Sequence, residues 1–180
     1  MFEGGYRVPC IMRWPGKIPA GTECAELATT LDLLPTVARL LGTDLPADRV
    51  IDGKNIWPLM AGDAEAVSPH EVFYCYYHGA LCAVRDRRWK LVLPHEYNSL
   101  DGKPGGRNGV PVAYSRLPAG KWLFDLKNDV GETTDVSEEH PEIVARLEQL
   151  AEQARLALGD TLSGRKGSEV RPAGQLRSDG

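Results

Sequence analysis

The chain has 180 residues, the length of one ordinary domain, and its 42% hydrophobic and 26% charged content excludes disordered, collagen-like and low-complexity proteins. The 21 Lys and Arg against 25 Asp and Glu leave a net charge of −4, which provides no electrostatic attraction to nucleic acid or to an anionic membrane. No stretch approaches the roughly 18 apolar residues that a membrane span needs. We therefore expect neither a nucleic-acid partner nor a membrane span.

The first predicted elements are a strand and a helix. Apolar side chains alternate with other residues from Arg7 to Trp14, which predicts a strand that ends at the turn Pro15-Gly16. From Asp32 the apolar spacing becomes helical and predicts a helix over Asp32 to Leu41, capped by Asp32, stopped by Gly42 and packed beside the strand.

Four strands follow in the second half of the chain and are expected to form one antiparallel sheet. They are Val72 to Tyr77, Leu81 to Val84, Trp89 to Leu93 and Trp122 to Leu126. A Gly- and Pro-rich loop from Pro94 to Gly120 separates the last two strands, and it is too long to be a mere connector.

An amphipathic helix is predicted over Pro141 to Leu158, where apolar residues form one stripe that should cover the sheet. Pro141 suits a first-turn position and Gly159 suits the stop. Residues 161–180 are rich in Gly, Ser and Arg and are expected to form a loosely ordered tail unless they dock.

Two cysteines and two histidines are the candidates for a disulfide, a metal site or a ligand contact. Cys75 and Cys82 flank a predicted hairpin turn, so they form either a disulfide or two buried thiols. Together with His78 and His95 they superficially resemble a zinc site, but their spacing matches no closed structural site, and no metal ligand is predicted. His78 and His95 lie at strand ends and loop edges, where each is either a hydrogen-bonded surface histidine or a ligand contact.

Several short segments resemble a known family in the order in which that family carries them. They are Glu3-Gly4-Gly5-Tyr6-Arg7-Val8-Pro9-Cys10-Ile11 with Trp14-Pro15-Gly16-Lys17-Ile18, Leu31-Asp32-Leu33-Leu34-Pro35-Thr36, Asp52-Gly53, Ala83-Val84-Arg85 with Trp89-Lys90-Leu91, and Leu123-Phe124-Asp125-Leu126 with Asp129 and Gly131-Glu132. This series resembles the C-terminal part of the sulfatase family, of arylsulfatase A type.

The resemblance implies sulfate ester hydrolysis by a formylglycine nucleophile, with calcium on the sulfate oxygens. Family members carry the formylglycine motif Cys-x-Pro-x-Arg (or its serine variant), the calcium ligands and the catalytic Lys and His upstream of the Glu-Gly-Gly segment. None of the four cysteines has Pro two residues on and Arg four residues on. No catalytic and no metal-binding residue is therefore predicted in this chain, and calcium and formylglycine belong to a missing N-terminal sulfatase portion.

The expected fold is α/β: the end of an alkaline-phosphatase-like catalytic domain over residues 1–68, a small α+β subdomain with a four-stranded antiparallel sheet and covering helix over residues 69–160, and the tail. His78, His95 and Tyr97 are the predicted substrate-binding residues, and the substrate of the intact enzyme is a sulfated small molecule or glycan.

The chain alone is expected to be inactive. The alternative is a non-catalytic remnant or a partner-binding module. The compartment is not predicted: intact family members are often exported or lysosomal, whereas residues 1–6 carry no signal-peptide pattern.

Overall fold

The computed structural model describes residues 1–171. The chain forms two compact units: one comprises Arg7–Phe73, and the other combines Met1–Tyr6 with the chain from Tyr74 onward. The helices are α1 (Glu3–Tyr6), α2 (Leu33–Leu41), α3 (Trp57–Met60) and α4 (Pro141–Leu158), and one turn of 3-10 helix (Thr30–Asp32) precedes α2. The strands are β1 (Phe73–Tyr77), β2 (Ala80–Arg85), β3 (Trp89–Val92), β4 (His95–Ser99), β5 (Ser115–Ala119), β6 (Trp122–Asp125), β7 (Gly159–Asp160) and β8 (Arg165–Lys166).

The predicted four-stranded sheet is confirmed, with strand order β1-β2-β3-β6. The pairs β2–β3 and β3–β6 are antiparallel, and Leu91 of β3 lies opposite Val84 on one side and Leu123 on the other. The two middle strands are buried almost throughout, so they lack an alternation of buried and exposed residues, and even Arg85 and Lys90 are buried. These strands form the core of the larger unit.

Helix α4 has the predicted bounds and contacts β2 and β3. Pro141 occupies the first turn, where a missing N–H leaves no helical bond unmade. Leu147, Ala151 and Ala154 are buried, and they share one helix face because residues three to four apart lie above one another.

In the smaller unit the predicted helix is confirmed as α2, which ends at Gly42 with a φ of +66°. That left-handed backbone conformation favours glycine and stops the helix.

The predicted strand over Arg7 to Trp14 is wrong. None of the described residues pairs with this segment as a strand, and Val8 and Ile11 are largely exposed. An alternating pattern produces a strand only where a neighbouring strand satisfies its backbone groups, and the described chain supplies none beside it.

The expectation of one long loop from Pro94 to Gly120 is also wrong. Strands β4 and β5 lie within it and pair antiparallel, with His95 opposite Ala119 and Asn98 opposite Arg116. The expected tail is docked in its first part, since β7 and β8 pair, while residues 172–180 lie outside the described chain.

Candidate functional site

A cavity of about 530 Å³ in the larger unit brings the three predicted residues His78, His95 and Tyr97 together. The other residues that line it are Met1, Tyr77, Ala80, Cys82, Glu96, Asn98, Arg116, Thr161 and Leu162. A volume of this size suits a small-molecule ligand, and a lining of apolar and aromatic surface with a few polar groups is typical of such sites.

His78 occupies the tight turn between β1 and β2. His78 and Gly79 have φ values of +48° and +79°, the pair of positive angles that a two-residue hairpin turn with native strand twist requires. The turn is held from outside, because the Thr161 N–H donates a 2.9 Å hydrogen bond to the Gly79 carbonyl. The His78 ring packs edge-on against Tyr77, with ring centroids 4.4 Å apart, so its position at the cavity is defined.

His95 has one ring nitrogen engaged and the other without a partner. Nδ1 lies 2.7 Å from the Leu93 carbonyl oxygen; because that oxygen only accepts, Nδ1 carries the proton. Nε2 is buried and has no hydrogen-bond partner. Burial lowers the pKa of His95 below its usual value, which favours the neutral ring with an acceptor lone pair on Nε2.

Tyr97 lies two residues along β4, on the same strand face as His95. Its ring meets Phe2 edge-on at a centroid distance of 4.9 Å. At the exposed rim, Arg116 of β5 donates a 2.9 Å hydrogen bond to the Glu96 carboxylate. The sequence analysis did not name Asn98 and Arg116, because only the β4–β5 pairing brings these two residues opposite each other at the cavity.

A buried group of four charged side chains ties α1 to the sheet of the larger unit. Lys90 is fully buried and lies 2.8 Å from Glu132 and 3.2 Å from Glu3. Arg85, directly opposite Lys90 in the β2–β3 register, lies 2.8 Å from the second oxygen of Glu3. Like charges opposite each other in a sheet repel, so the Glu3 carboxylate between them balances the pair, and the four formal charges sum to zero.

Glu132 completes this charged group from a strained backbone position. Its φ is +54°, a left-handed conformation that costs a residue with a Cβ about 1–2 kcal/mol. Its carboxylate accepts a 2.5 Å hydrogen bond from the Glu3 backbone N–H, and this contact, with the ion pair to Lys90, offsets the strain. The Glu-Gly-Gly and Gly-Glu segments, 129 residues apart, therefore meet at one point.

Asp32 has a similar organising role in the smaller unit. Its fully buried carboxylate accepts hydrogen bonds of 2.7 Å from the backbone N–H groups of Thr29 and Lys54, and it lies 2.7 Å from His70 Nε2. Gly53 allows this approach, since a Cβ there would lie 2.0 Å from the Leu31 carbonyl oxygen. Asp32 was predicted to cap α2, but its side chain makes no capping hydrogen bond to that helix. Its carboxylate instead connects the chain segments of Thr29, Lys54 and His70.

The apolar face of α2 is exposed in this chain. Pro35, Thr36 and Ala38 are its buried residues. Five apolar side chains of α2 are between 38% and 74% exposed: Leu33, Leu34, Val37, Leu40 and Leu41. A contiguous apolar stripe on a surface helix is characteristic of a protein interface.

The cysteine alternatives resolve to thiols, since Cys75 and Cys82 are buried and unpaired. Burial raises the pKa of the Cys75 thiol to about 11, which makes it a poor nucleophile. Within residues 1–171, no group of three or more His, Cys, Asp or Glu side chains is placed to hold a metal ion.

Comparison with known families decides the assignment. The family described as "N-sulphoglucosamine sulphohydrolase, C-terminal" matches residues 1–101, and that described as "C-terminal region of aryl-sulfatase" matches residues 68–176. The chain belongs to the sulfatase family. The predicted resemblance to the C-terminal part of sulfatases is thereby confirmed.

Curated relatives agree with this assignment. The chain is 38% identical over 170 residues to the steryl-sulfatase of Mus musculus, covering 87% of this chain and 27% of that protein. It is 36% identical over 174 residues to arylsulfatase D of Homo sapiens, covering 87% and 29%. Similarity to arylsulfatase A of Bos taurus is 32% over 161 residues, covering 86% and 31%. The chain thus spans less than a third of the length of these relatives.

Solved structures confirm the fold. The PsFucS1 sulfatase of Pseudoalteromonas sp. matches with a TM-score of 0.60 at 20% identity, covering 78% of this chain and 28% of that one. A Bacteroides thetaiotaomicron structure from work on glycosaminoglycan metabolism matches with a TM-score of 0.54 at 22% identity, covering 79% and 28%. Across residues 1–171, none of the helices combines the length and apolar character needed to cross a membrane.

Proposed function

We propose that this chain is the C-terminal part of an enzyme that hydrolyses sulfate esters, and that its cavity contacts the substrate through His78, His95 and Tyr97. The observation that carries the proposal is the lining of that cavity, where Met1 lies beside these three residues. The resemblance places the catalytic lysine of the family just upstream of Glu3. The presence of Met1 in the cavity lining therefore supports a position of this cavity near the catalytic groups.

The chain's own contribution is to position and to bind. The buried charges of Arg85, Lys90 and Glu132 hold Glu3, and with it the Glu-Gly-Gly segment, against the sheet. The nucleophile and the calcium ion, which the resemblance assigns to an N-terminal portion, would supply the attack on sulfur and the neutralisation of the sulfate oxygens there. The substrate is a sulfated small molecule or a sulfated glycan.

The exposed stripe of α2 supports assembly with that N-terminal portion. Leu33, Val37 and Leu41 lie at helical spacing on the exposed side of α2. Burying such a stripe under other elements of a catalytic domain stabilises the assembly by about 25 cal/mol for each Å² of apolar surface removed from water. The partner we propose for the stripe is the N-terminal sulfatase portion.

A domain exchange tests this function. In the steryl-sulfatase of Mus musculus, the segment that this chain matches is replaced by this chain, and hydrolysis of an aryl sulfate is measured. We expect turnover by the chimera. We expect none from the 180-residue chain alone, because catalytic groups that act as a unit leave little residual rate when they are removed together.

The two controls separate the alternatives. The chain alone should bind calcium no better than an ordinary acidic surface, and calcium-dependent turnover by the chain alone would overturn the proposal. A chimera that folds, by circular dichroism and a cooperative melt, yet lacks turnover would favour a non-catalytic or partner-binding module instead.

A further inference from the structure

The connection between β4 and β5 contains a tight turn at residues 107–110. Arg107 and Val110 form an isolated antiparallel bridge there, and the Val110 N–H donates a 3.0 Å hydrogen bond to the Arg107 carbonyl. Between them, Asn108 and Gly109 have φ values of +53° and +77°, the pair of positive angles that a two-residue hairpin turn requires. Because the bridge is isolated, no longer strand ladder holds this turn closed.

The turn is exposed along its whole length. Within residues 1–171 the Asn108 side chain has no hydrogen-bond partner, and a Cβ at Gly109 would meet nothing within 4 Å. Exposed segments with few contacts open locally at little cost in free energy. The side-chain amide of Asn108 and the backbone nitrogen of Gly109 are therefore free to approach each other.

An asparagine that precedes a glycine can react with the backbone of its own chain. The Gly109 nitrogen, once it has lost its proton to base, attacks Cγ of Asn108 and closes a five-membered succinimide ring. The bond from Cγ to Nδ2 breaks, and the departing nitrogen takes a proton from water and leaves as ammonia. Water then opens the ring at one of its two carbonyls, which produces aspartate or isoaspartate. Glycine favours the attack because it has no Cβ beside the nucleophilic nitrogen.

The other three asparagines of the chain lack this arrangement. They are Asn55, Asn98 and Asn128, and each precedes a residue that has a side chain. Asn98 lies within β4, and the Asn128 amide donates a 2.8 Å hydrogen bond to Asp125. The Asn55 side-chain oxygen accepts a 3.0 Å hydrogen bond from a backbone N–H two residues on. Asn108 is therefore set apart from them both by its neighbour in sequence and by its lack of restraint.

We propose that Asn108 is a site of spontaneous deamidation, and that its conversion to isoaspartate opens the turn at residues 107–110. Isoaspartate inserts the Cβ carbon into the main chain, so the Arg107 carbonyl and the Val110 N–H lose the spacing that the turn gives them. The reaction also places a negative charge on an exposed loop. This modification is independent of sulfate ester hydrolysis, and it gives the connection between β4 and β5 an age-dependent covalent state.

Incubation of the 180-residue chain at pH 8 tests the proposal. Peptide mapping by mass spectrometry follows the replacement of the amide NH₂ by OH at each of the four asparagines, and chromatography separates isoaspartyl from aspartyl peptides. We expect Asn108 to convert over days to a mixture that contains isoaspartate, while Asn55, Asn98 and Asn128 keep their amides. Conversion should be slower at pH 6, because less of the Gly109 nitrogen is then deprotonated.

Backbone NMR measures the consequence for the turn. The Val110 amide resonance should shift in the isoaspartyl chain. Asn108→Asp is the matched control, because it adds the same charge to an unaltered main chain and should keep the Val110 resonance close to its wild-type position. Asn108→Gln, whose longer side chain would have to close a six-membered ring, should keep its amide.

The same incubation in urea gives the rate for the unfolded chain. Since an exposed turn opens at little cost, we expect Asn108 to convert in the folded chain within about tenfold of that rate. Retention of the Asn108 amide in the folded chain would overturn the proposal, whether or not the unfolded chain loses it. Equal conversion at all four asparagines, or a Val110 resonance that is unchanged in the isoaspartyl chain, would also overturn it.

Discussion

The ammonium group of Lys90 lies 3.2 Å from the carboxylate of Glu3, which stands 87 residues earlier in the chain. Both side chains are almost completely removed from water. A buried ion pair is not by itself strongly stabilising, because desolvation opposes the attraction. Its consequence is specificity of position: α1 is held where both charges are satisfied.

Replacing Lys90 should therefore lower the free energy of unfolding of the larger unit. Lys90→Met leaves Glu3 and Glu132 buried without their shared cation, and breaking a buried pair in this way costs about 3–5 kcal/mol. The free energy of unfolding from urea titration measures the loss. Lys121→Met is the control, since its pair with Glu148 is half exposed and should cost less than about 1 kcal/mol; equal losses would show that the buried group has no special role.

Gly53 should tolerate no side chain. In Gly53→Ala the new Cβ would lie 2.0 Å from the Leu31 carbonyl oxygen, so the chain must move and the Lys54 bond to Asp32 is lost. We expect a large drop in the thermal midpoint of the smaller unit. Gly105→Ala, where a Cβ would meet nothing within 4 Å, should leave the midpoint unchanged, and a similar drop in both variants would contradict the close-approach explanation.

The exposed stripe of α2 should make the chain self-associate when it is expressed alone. Leu41→Lys places a charge on a side chain that is 74% exposed, so it should shift the sedimentation profile toward monomer without lowering stability. Leu156→Lys on α4, 64% exposed in the wild type, is the matched control and should leave association as it was. A wild-type chain that is already a monodisperse monomer would refute this prediction.

Asp125 should contribute to stability in a defined acid range. Arg88 and Asn128 hydrogen-bond its carboxylate and lower its pKa from 3.8 to about 2. Because the folded-state pKa is depressed, this contribution is complete above pH 3.8 and is lost as the pH falls toward about 2. Asp125→Asn should flatten the fall in urea midpoint across this range, whereas Asp44→Asn, at an exposed loop position, should retain the wild-type slope.

The sequence correctly predicted the helix whose start, buried face and end are each determined by neighbouring residues. The helix from Pro141 to Leu158 combines a first-turn proline, one apolar stripe and a glycine stop, and each signal is independent of the rest of the fold. The segment from Arg7 to Trp14 has the alternation of a strand, but a strand needs a partner, and partner availability is not encoded within eight residues.

Strands β4 and β5, in contrast, are present in the structure but were not predicted. Along β4, Glu96 and Asn98 are exposed, whereas His95 and its face are half-buried. Both faces therefore carry polar or amphipathic side chains, and the sequence shows no alternation of apolar with polar residues that would predict a strand. Proline in a sheet is confined to edge strands, strand starts and bulges, and Pro118 of β5 lies opposite Glu96 in a sheet of two strands.

His78, His95 and Tyr97 were predicted to bind substrate, and the structure brings them to one cavity; their contact with substrate stays a prediction. Arg116 could not be placed, because it reaches the cavity through the β4–β5 pairing with Asn98. The buried contact of Lys90 with Glu132 was likewise beyond sequence reasoning, since only the folded sheet brings these distant segments together.

Steady-state kinetics of the sulfatase chimera with His95 intact and with His95→Ala tests the central claim most directly. The account predicts aryl sulfate turnover by the parent chimera, and a KM raised severalfold with kcat little changed in the variant, because His95 binds substrate without joining the chemical step. A folded parent chimera without turnover, or a variant with unchanged KM for every sulfate ester tried, would contradict it.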